Sequence, residues 1–223
     1  MLTILLADTE LETIPDRMLE DPAIRRKANE SGKKASDMIL DSNYMHTAIE
    51  RHFPGYSNRM GRPDMVHFFL ITALESVLNK SGELRVVIHT RNNLAIFVNP
   101  KVRIPRGYNR FIGLMEDMFR KRLIRSGDDV LLEVKEMDLS QLLSRYDHTR
   151  KIMMWPKGTR SSLASIISDS SDLVCVIGGF SEGDFRSDVS QVNEKYSIFP
   201  EELVVWSVSA EVVAQYERSL RLL

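Results

Sequence analysis

Short apolar runs alternate along the chain with longer segments in which apolar residues recur at helical spacing. This alternation is the pattern of an α/β fold, in which strands and helices follow one another. The runs predict strands at Leu2–Ala7, Leu84–His89, Leu94–Val98, Val130–Val134, Lys151–Met154 and Leu173–Ile177. The second and third runs are separated by Arg91-Asn92-Asn93, which predicts a hairpin because asparagine tolerates the positive φ of a tight turn.

Two helices are predicted with definite boundaries. Arg62-Pro63-Asp64 begins the first, because proline suits the first helical position and an acid suits the positive end of the helix dipole. The run Met65–Leu78 is apolar almost all round, so we expect one buried helix that ends at Gly82. A second helix is expected over Tyr108–Ile124. The polar segment Asp21–Asp37 fits either a solvated helix or a surface loop, and a last helix is expected after Trp206.

Composition narrows the class of protein. The chain has 223 residues, of which 43% are hydrophobic and 27% charged, which excludes a disordered, collagen-like or membrane-bundle protein. No apolar run approaches the roughly 20 residues that span a bilayer, so we expect no membrane association. The start, Met1–Asp8, lacks a basic segment and fits a strand better than a signal peptide. A lone cysteine, Cys175, excludes an internal disulfide and fits a reducing, cytoplasmic location.

Charge is unevenly distributed, although the net charge is only −1. Ten lysines and arginines lie between Arg85 and Arg125, opposed only by Glu116 and Asp117. A basic face on an acidic body favours a polyanionic partner, and solvated helix faces are the alternative. The densest part is the proline-stiffened stretch Asn99–Phe111, which favours RNA or phosphate binding; its cations are Lys101, Arg103, Arg106 and Arg110.

Other segments carry candidate chemistry. Asp64, flanked by Arg59 and Arg62, either orients or deprotonates a substrate or is only a charge at a helix N-terminus. His67 shares its helix face, but without further ligands a buried histidine is favoured over a metal site, and we expect no metal. The strand Leu173–Ile177 ends in Gly178-Gly179-Phe180, which fits either a ligand approaching the backbone or a plain turn. Two similar strand-to-loop junctions lie at residues 155–159 and 196–206. Together the three junctions predict an apolar pocket that suits a purine ring.

The order of these motifs resembles one known family. It comprises Arg62-Pro63-Asp64 with His67, Ile88-His89-Thr90, Val98-Asn99-Pro100, Arg103-Ile104-Pro105-Arg106, Arg110-Phe111 and Gly113-Leu114-Met115. In this combination the chain resembles the ribosome-biogenesis N1-specific pseudouridine methyltransferases, the essential-for-mitotic-growth family of the SPOUT (α/β-knot) superfamily. The absence of long extensions suggests an archaeal-type member.

The resemblance implies a fold and a cofactor. It implies a single SPOUT domain over residues 1–223, a mostly parallel sheet whose C-terminal part forms a trefoil knot, and an RNA-binding β-hairpin and loop elaboration at about 84–107. It also implies a homodimer with S-adenosylmethionine bound by three loops. Carried onto this chain, the cofactor residues are Gly158, Thr159, Ile177, Gly178, Gly179, Phe180, Gly183, Ile198, Leu203 and Val205.

The resemblance also implies a substrate, a pseudouridine in a hairpin of small-subunit ribosomal RNA. The catalytic residues are then Arg62 and Asp64, and the RNA-binding residues are Arg59, Arg62, Arg91, Lys101, Arg103, Arg106 and Arg110. Arginines would stabilise the anionic base while Asp64 orients it or takes its proton. Ribosomal assembly proteins are further candidate partners. Two alternatives stay open: a mainly non-catalytic RNA-binding assembly factor, and a knot methyltransferase that modifies another position such as a ribose 2′-hydroxyl.

Overall fold

A computed structural model describes residues 1–169 and 171–222, and in it eight strands form one mixed sheet. The order across the sheet is β4-β5-β3-β2-β1-β7-β6-β8. The strands are β1 (Leu2–Thr9), β2 (Leu84–Thr90), β3 (Leu94–Val98), β4 (Leu123–Ser126), β5 (Asp129–Glu136), β6 (Arg150–Arg160), β7 (Leu173–Gly178) and β8 (Glu194–Ser197). All six strands expected from the apolar runs are therefore confirmed.

The sheet has a parallel part and an antiparallel part. Strands β2, β1, β7, β6 and β8 pair in parallel, whereas β3, β5 and β4 extend the sheet in antiparallel fashion from β2. The predicted hairpin is present between β2 and β3, and Asn93 takes the positive φ of 56° that its turn requires. Every residue of β1 is buried, which explains why its sequence is a continuous apolar run.

Helices cover both faces of the sheet. They are α1 (Pro22–Ser31), α2 (Ser42–His52), α3 (Pro63–Leu74), α4 (Val77–Lys80), α5 (Tyr108–Lys121), α6 (Leu139–Ser144), α7 (Leu163–Ile166) and α8 (Val205–Ser219). One core lies between the sheet and helices α3, α5 and α8, and a smaller core lies under α6 on the opposite face. A third cluster joins α1 and α2 within residues 14–60.

The structure corrects two predicted helix boundaries. The expected helix over Met65–Leu78 is divided, because α3 ends at Leu74 and Ser76 caps a separate helix by accepting a hydrogen bond from the N–H of Asn79 at 3.1 Å. The helix expected to reach Ile124 ends at Lys121, where Arg122 turns the chain with φ 59° into β4. Of the two interpretations of residues 21–37, a helix is confirmed over Pro22–Ser31.

The C-terminal part of the chain returns from the sheet edge to the sheet centre. Strand β8 is the outermost strand, yet the helix that follows it, α8, packs against α3, β7 and β1. In the same region β6 is irregular, since both Met154 and Thr159 align with Tyr196 of β8 and the residues between them bulge out. The trefoil knot stays a prediction.

Candidate active site

An apolar cleft of about 360 Å³ lies where the parallel strands β6, β7 and β8 give way to loops. Its volume falls within the range of roughly 300–1,000 Å³ that is usual for small-molecule sites. Three segments form its walls: residues 154–156, residues 177–185 and residues 196–208. Arg62 and Met65, at the start of α3, complete the lining. The three strand-to-loop junctions predicted from the sequence therefore meet in one cavity.

Seven of the ten predicted cofactor residues line this cleft. They are Ile177, Gly178, Phe180, Gly183, Ile198, Leu203 and Val205. Gly158, Thr159 and Gly179 lie outside the lining. Gly158 instead lets the bulge of β6 approach β8, because a Cβ there would stand 2.6 Å from the carbonyl carbon of Lys195. Gly179 packs its backbone against Thr9 at the end of β1, and its N–H donates to the carbonyl oxygen of Ala7 at 2.7 Å.

The loop after β7 is fixed by a buried carboxylate. Asp8 accepts hydrogen bonds from the backbone N–H groups of Arg186 and Ser187 at 2.7 and 3.0 Å and from the Ser187 hydroxyl at 2.5 Å. His89 lies 3.6 Å from the same carboxylate, and its burial lowers the pKa of the ring although Asp8 opposes this shift. Phe185 directly precedes Arg186, and its ring packs edge to face against Phe180. The cluster around Asp8 therefore fixes the position of the cleft wall that contains these two rings.

Arg62 and Asp64 form a bidentate ion pair at the N-terminus of α3. The guanidinium donates from Nε and Nη2 to the two carboxylate oxygens at 2.9 and 2.8 Å. These hydrogen bonds, together with the negative charge of Asp64, raise the pKa of Arg62. Both side chains are only partly exposed, and Arg62 lines the cleft. A carboxylate and a cation are thus held at the edge of the apolar cleft with a fixed orientation.

The arginine-rich segment is held against the helices by two buried side chains. His67 Nε2 lies 2.7 Å from the carbonyl oxygen of Pro105, and its ring stacks on Phe111 at a centroid distance of 4.3 Å. At the other end, Asn79 Nδ2 donates to the carbonyl oxygen of Pro100 at 3.0 Å. Between these contacts Val102 enters the core, while the surface carries the exposed cations Arg103, Arg106 and Arg110.

Of the other predicted RNA-binding residues, Arg91 and Lys101 have charged protein partners. The Arg91 side chain is only 6% exposed and pairs with Glu10 at 2.9 Å and with Glu12 at 3.6 Å. Its guanidinium is therefore committed to these carboxylates, and burial is the main cause that lowers its pKa. Arg59 is half-buried beside Gly183, and Lys101 pairs with Asp129 at 3.2 Å. Three buried acids were missed from the sequence: Asp8 near the end of β1, and Glu10 and Glu12 just after it. Acids at alternate positions directly after the apolar run Leu2–Ala7 were a usable signal.

Three further features of the described residues bear on the candidate sites. Within residues 1–169 and 171–222, no group of three His, Cys, Asp or Glu side chains is arranged to hold a metal ion. Over the same part of the chain, none of the helices has the length and apolar character needed to cross a bilayer. Cys175 is fully buried in β7, and this burial raises the pKa of its thiol, so it packs as a hydrophobic side chain.

The structure thus combines a mixed sheet with an apolar cleft, an Arg–Asp pair at the edge of that cleft and a neighbouring segment of exposed arginines. The family model described as EMG1/NEP1 methyltransferase matches residues 4–217. The chain therefore belongs to the EMG1/NEP1 methyltransferase family. This confirms the resemblance that was found from the sequence motifs.

Individual relatives agree with this assignment. The chain is 50% identical over 223 residues to a protein of Thermoplasma volcanium named ribosomal RNA small subunit methyltransferase Nep1, with 100% of both chains covered. A protein of the same name from Thermoplasma acidophilum is 50% identical over 222 residues, again with 100% of both chains covered. The crystal structure of Archaeoglobus fulgidus Nep1 bound to S-adenosylhomocysteine superimposes with a TM-score of 0.87 at 31% identity and covers 98% of each chain. The α/β fold is confirmed by this similarity.

Proposed function

We propose that this chain transfers a methyl group from S-adenosylmethionine to N1 of a pseudouridine in small-subunit ribosomal RNA during ribosome biogenesis. The names of the Thermoplasma relatives and the S-adenosylhomocysteine in the Archaeoglobus structure support the donor and the class of RNA. One observation carries the proposal furthest. Arg62 lines the apolar cleft and simultaneously holds Asp64, so the cofactor cavity and the predicted catalytic pair share an edge.

The cleft fits the proposed cofactor in size and chemistry. It is walled by apolar side chains such as Phe180, Ile198 and Leu203, and glycines expose the backbone at Gly178 and Gly183. Such a site suits a neutral adenine ring and excludes water from the reacting atoms. When bound, S-adenosylmethionine supplies a methyl group on an electrophilic sulfonium. The protein's task is then to hold the substrate nitrogen in line with that methyl group.

Arg62 and Asp64 act on the base. N1 of pseudouridine is a free imide nitrogen that becomes nucleophilic as it loses its proton, and negative charge then develops on the ring. The Arg62 guanidinium, kept rigid by its two hydrogen bonds, stabilises this charge. Asp64 accepts the N1 proton or orients the base that carries it. Arg103, Arg106 and Arg110 contact phosphates of the hairpin, because they are exposed on a segment that is anchored at both ends.

The proposal includes a homodimer. Several large apolar side chains are exposed near the cleft mouth and on α3 and α4, and Phe68 of α3 packs against Trp206 at a ring distance of 5.1 Å. The exposed residues are Phe68, Val77, Phe199, Leu203 and Val204. A second copy of the chain would cover them, and light scattering of Phe68→Glu against wild type tests this. Ribosomal assembly proteins as partners and a cytoplasmic location also belong to the proposal.

Methyl transfer to matched hairpins tests the function. Three RNA hairpins carry uridine, pseudouridine or 2′-O-methylpseudouridine at one loop position, and nucleosides are identified by mass spectrometry after digestion. We expect N1-methylation of both pseudouridine hairpins and none of the uridine hairpin. Methylation of uridine, or methylation that a 2′-O-methyl group abolishes together with a ribose-methylated product, would indicate a ribose methyltransferase instead. Hairpin binding without any methylated product would indicate an assembly factor.

A further inference from the structure

Three polar residues, Glu10, Ser181 and Arg91, meet at the carboxyl end of β1 and take no part in the chemistry proposed above; Glu10 and the Arg91 side chain are buried and Ser181 is half-buried. Glu10 is fully buried, directly after β1. Ser181 belongs to the loop that lines the cofactor cleft. Arg91 follows β2, the strand on the other side of β1 from β7. Burial of charged groups is costly unless they are paired, so the contacts made by this trio must be specific.

Glu10 holds the cofactor loop through both its side chain and its backbone. Its Oε2 accepts hydrogen bonds from the Ser181 hydroxyl at 3.0 Å and from the Ser181 N–H at 3.3 Å. Its own N–H donates to the carbonyl oxygen of Gly179 at 3.3 Å. These contacts flank Phe180, which is part of the cleft wall. The position of that wall is therefore tied to Glu10.

The same residues hold the segment that leads to Arg62. The Glu10 carbonyl oxygen accepts from the Arg62 N–H at 2.9 Å, and Glu10 Oε1 accepts from Arg91 at 2.9 Å. Arg91 in turn donates to the carbonyl oxygen of Arg59, and the Ser181 hydroxyl, whose single proton is shared with Glu10, also contacts the carbonyl oxygen of Asn58. The segment 58–62 thus rests on the same trio as the cofactor loop.

We propose that Glu10, with Ser181 and Arg91, is a positioning element that couples cofactor binding to RNA binding. A ligand that orders the loop at Ser181 also orders residues 58–62. The second ligand then loses less conformational entropy on binding, because the segment it contacts is already ordered. Such a coupling is reciprocal, and each ligand raises the affinity for the other by the same factor. This inference rests on the proposed function, because it takes S-adenosylhomocysteine and a pseudouridine hairpin as the two ligands.

The coupling factor is measured directly. The dissociation constant of the hairpin is determined with and without saturating S-adenosylhomocysteine, at fixed salt, and that of S-adenosylhomocysteine with and without saturating hairpin. We expect a factor of about 5 or more in wild type, at the low end of typical couplings, and a factor of about 2 or less in Ser181→Ala. Because the factor is a ratio, a direct effect of the variant on either ligand alone cancels from it.

Ser187→Ala is the matched control. It removes another serine–carboxylate hydrogen bond from the same loop region, but its partner Asp8 has no contact of this kind with residues 58–62. We expect it to keep the wild-type coupling factor, and Ser181→Thr, which retains a hydroxyl, to restore it. Glu10→Gln is a second variant that removes the charge shared with Arg91, and it should lower the coupling as well. Thermal melting confirms that each variant is folded.

The outcomes separate this inference from the proposed function. If both ligands bind wild type but neither changes the affinity for the other, the coupling is refuted while the proposed function stands. If Ser181→Ala keeps the wild-type factor, or Ser187→Ala loses it equally, the trio is not the coupling element. If wild type binds neither ligand, the proposed function fails and this inference fails with it.

Discussion

Replacing His67 with leucine tests whether the arginine segment is held in place by α3. Leucine fills a similar apolar space but lacks the Nε2 group that reaches the carbonyl oxygen of Pro105 at 2.7 Å, and it cannot stack on Phe111. His67 is only 4% exposed and is not part of the cleft lining. The change therefore acts on the support of the segment that carries Arg103 and Arg106, and leaves the cofactor site intact.

The expected loss of stability follows from the two contacts that leucine cannot make. Because Pro105 is only half-buried, the unpaired carbonyl costs about 1 kcal/mol, the lower end of the range for a lost partner. Loss of the ring stacking adds about 0.5–1 kcal/mol. A total of about 1.5–2 kcal/mol lowers the melting temperature of a chain of this length by about 3–8 °C. If all of that energy serves to position the segment, the hairpin dissociation constant rises by up to roughly 10- to 30-fold, since about 1.4 kcal/mol corresponds to a factor of ten.

Fluorescence anisotropy with a labelled hairpin and calorimetry with S-adenosylhomocysteine measure the two affinities on one preparation. His148→Leu, at an exposed position in the turn after α6, is the matched control and should change neither. Unchanged hairpin affinity with a lowered melting temperature would reduce His67 to a core residue. An equal loss of affinity for S-adenosylhomocysteine would show general damage rather than a displaced segment.

Three further predictions concern the cleft, the basic surface and the buried histidine. Gly178→Val should abolish binding of S-adenosylhomocysteine, because a Cβ there would stand 2.8 Å from the Phe180 ring and would push that ring into the cleft. Unchanged affinity in calorimetry would contradict this. Alanine at Arg103, Arg106 and Arg110 together should flatten the salt dependence of hairpin binding by roughly 0.7–0.9 logarithmic units per lost phosphate contact, and an unaltered slope would contradict phosphate contacts. Burial keeps the pKa of His89 below its ordinary value, so the stability that neutral His89 contributes is present above about pH 6.5 and is lost as the pH falls further. In urea unfolding, His89→Gln should therefore lose less stability at acidic pH than wild type does. An equal loss in both proteins would refute this role of His89.

The sequence predicted those elements whose pattern is local. Apolar runs such as Leu2–Ala7 identified six strands, and the proline and acid at the start of α3 located its first turn. Strand β8 was missed because its four residues, Glu-Lys-Tyr-Ser, are mostly polar and it lies at the sheet edge, where one side needs no partner. The division between α3 and α4 was missed because the apolar pattern continues across it, while a single side-chain cap at Ser76 begins the second helix.

The site was predictable where sequence neighbours act together, and less so where distant residues meet. Arg62 and Asp64 are two positions apart, and their ion pair follows from the local geometry of a helix start. The commitment of Arg91 to Glu10 and Glu12 joins residues about 80 positions apart, and a cation count along the chain cannot distinguish such a buried arginine from an exposed one. Gly158 as a cofactor residue was implied by the resemblance and stays a prediction, and the close approach of Lys195 across the sheet, which also requires a glycine there, was not readable from the sequence.

The most direct test of the account is the single-turnover rate of methyl transfer by Asp64→Asn, measured beside its melting temperature. Asparagine keeps the shape of the side chain and one acceptor oxygen but removes the negative charge. That charge pairs with Arg62, and the carboxylate that carries it accepts the N1 proton or orients the base. We predict a rate lower by about 100-fold or more on the pseudouridine hairpin, the lower range for a lost acid–base group. Hairpin affinity should be nearly unchanged, and Asp117→Asn, which removes a carboxylate paired with Arg120 on α5, should have a normal rate. A normal rate in Asp64→Asn, with stability reduced by only about 0.3–1 kcal/mol, would show that Asp64 serves the helix dipole and would contradict the proposed catalytic pair.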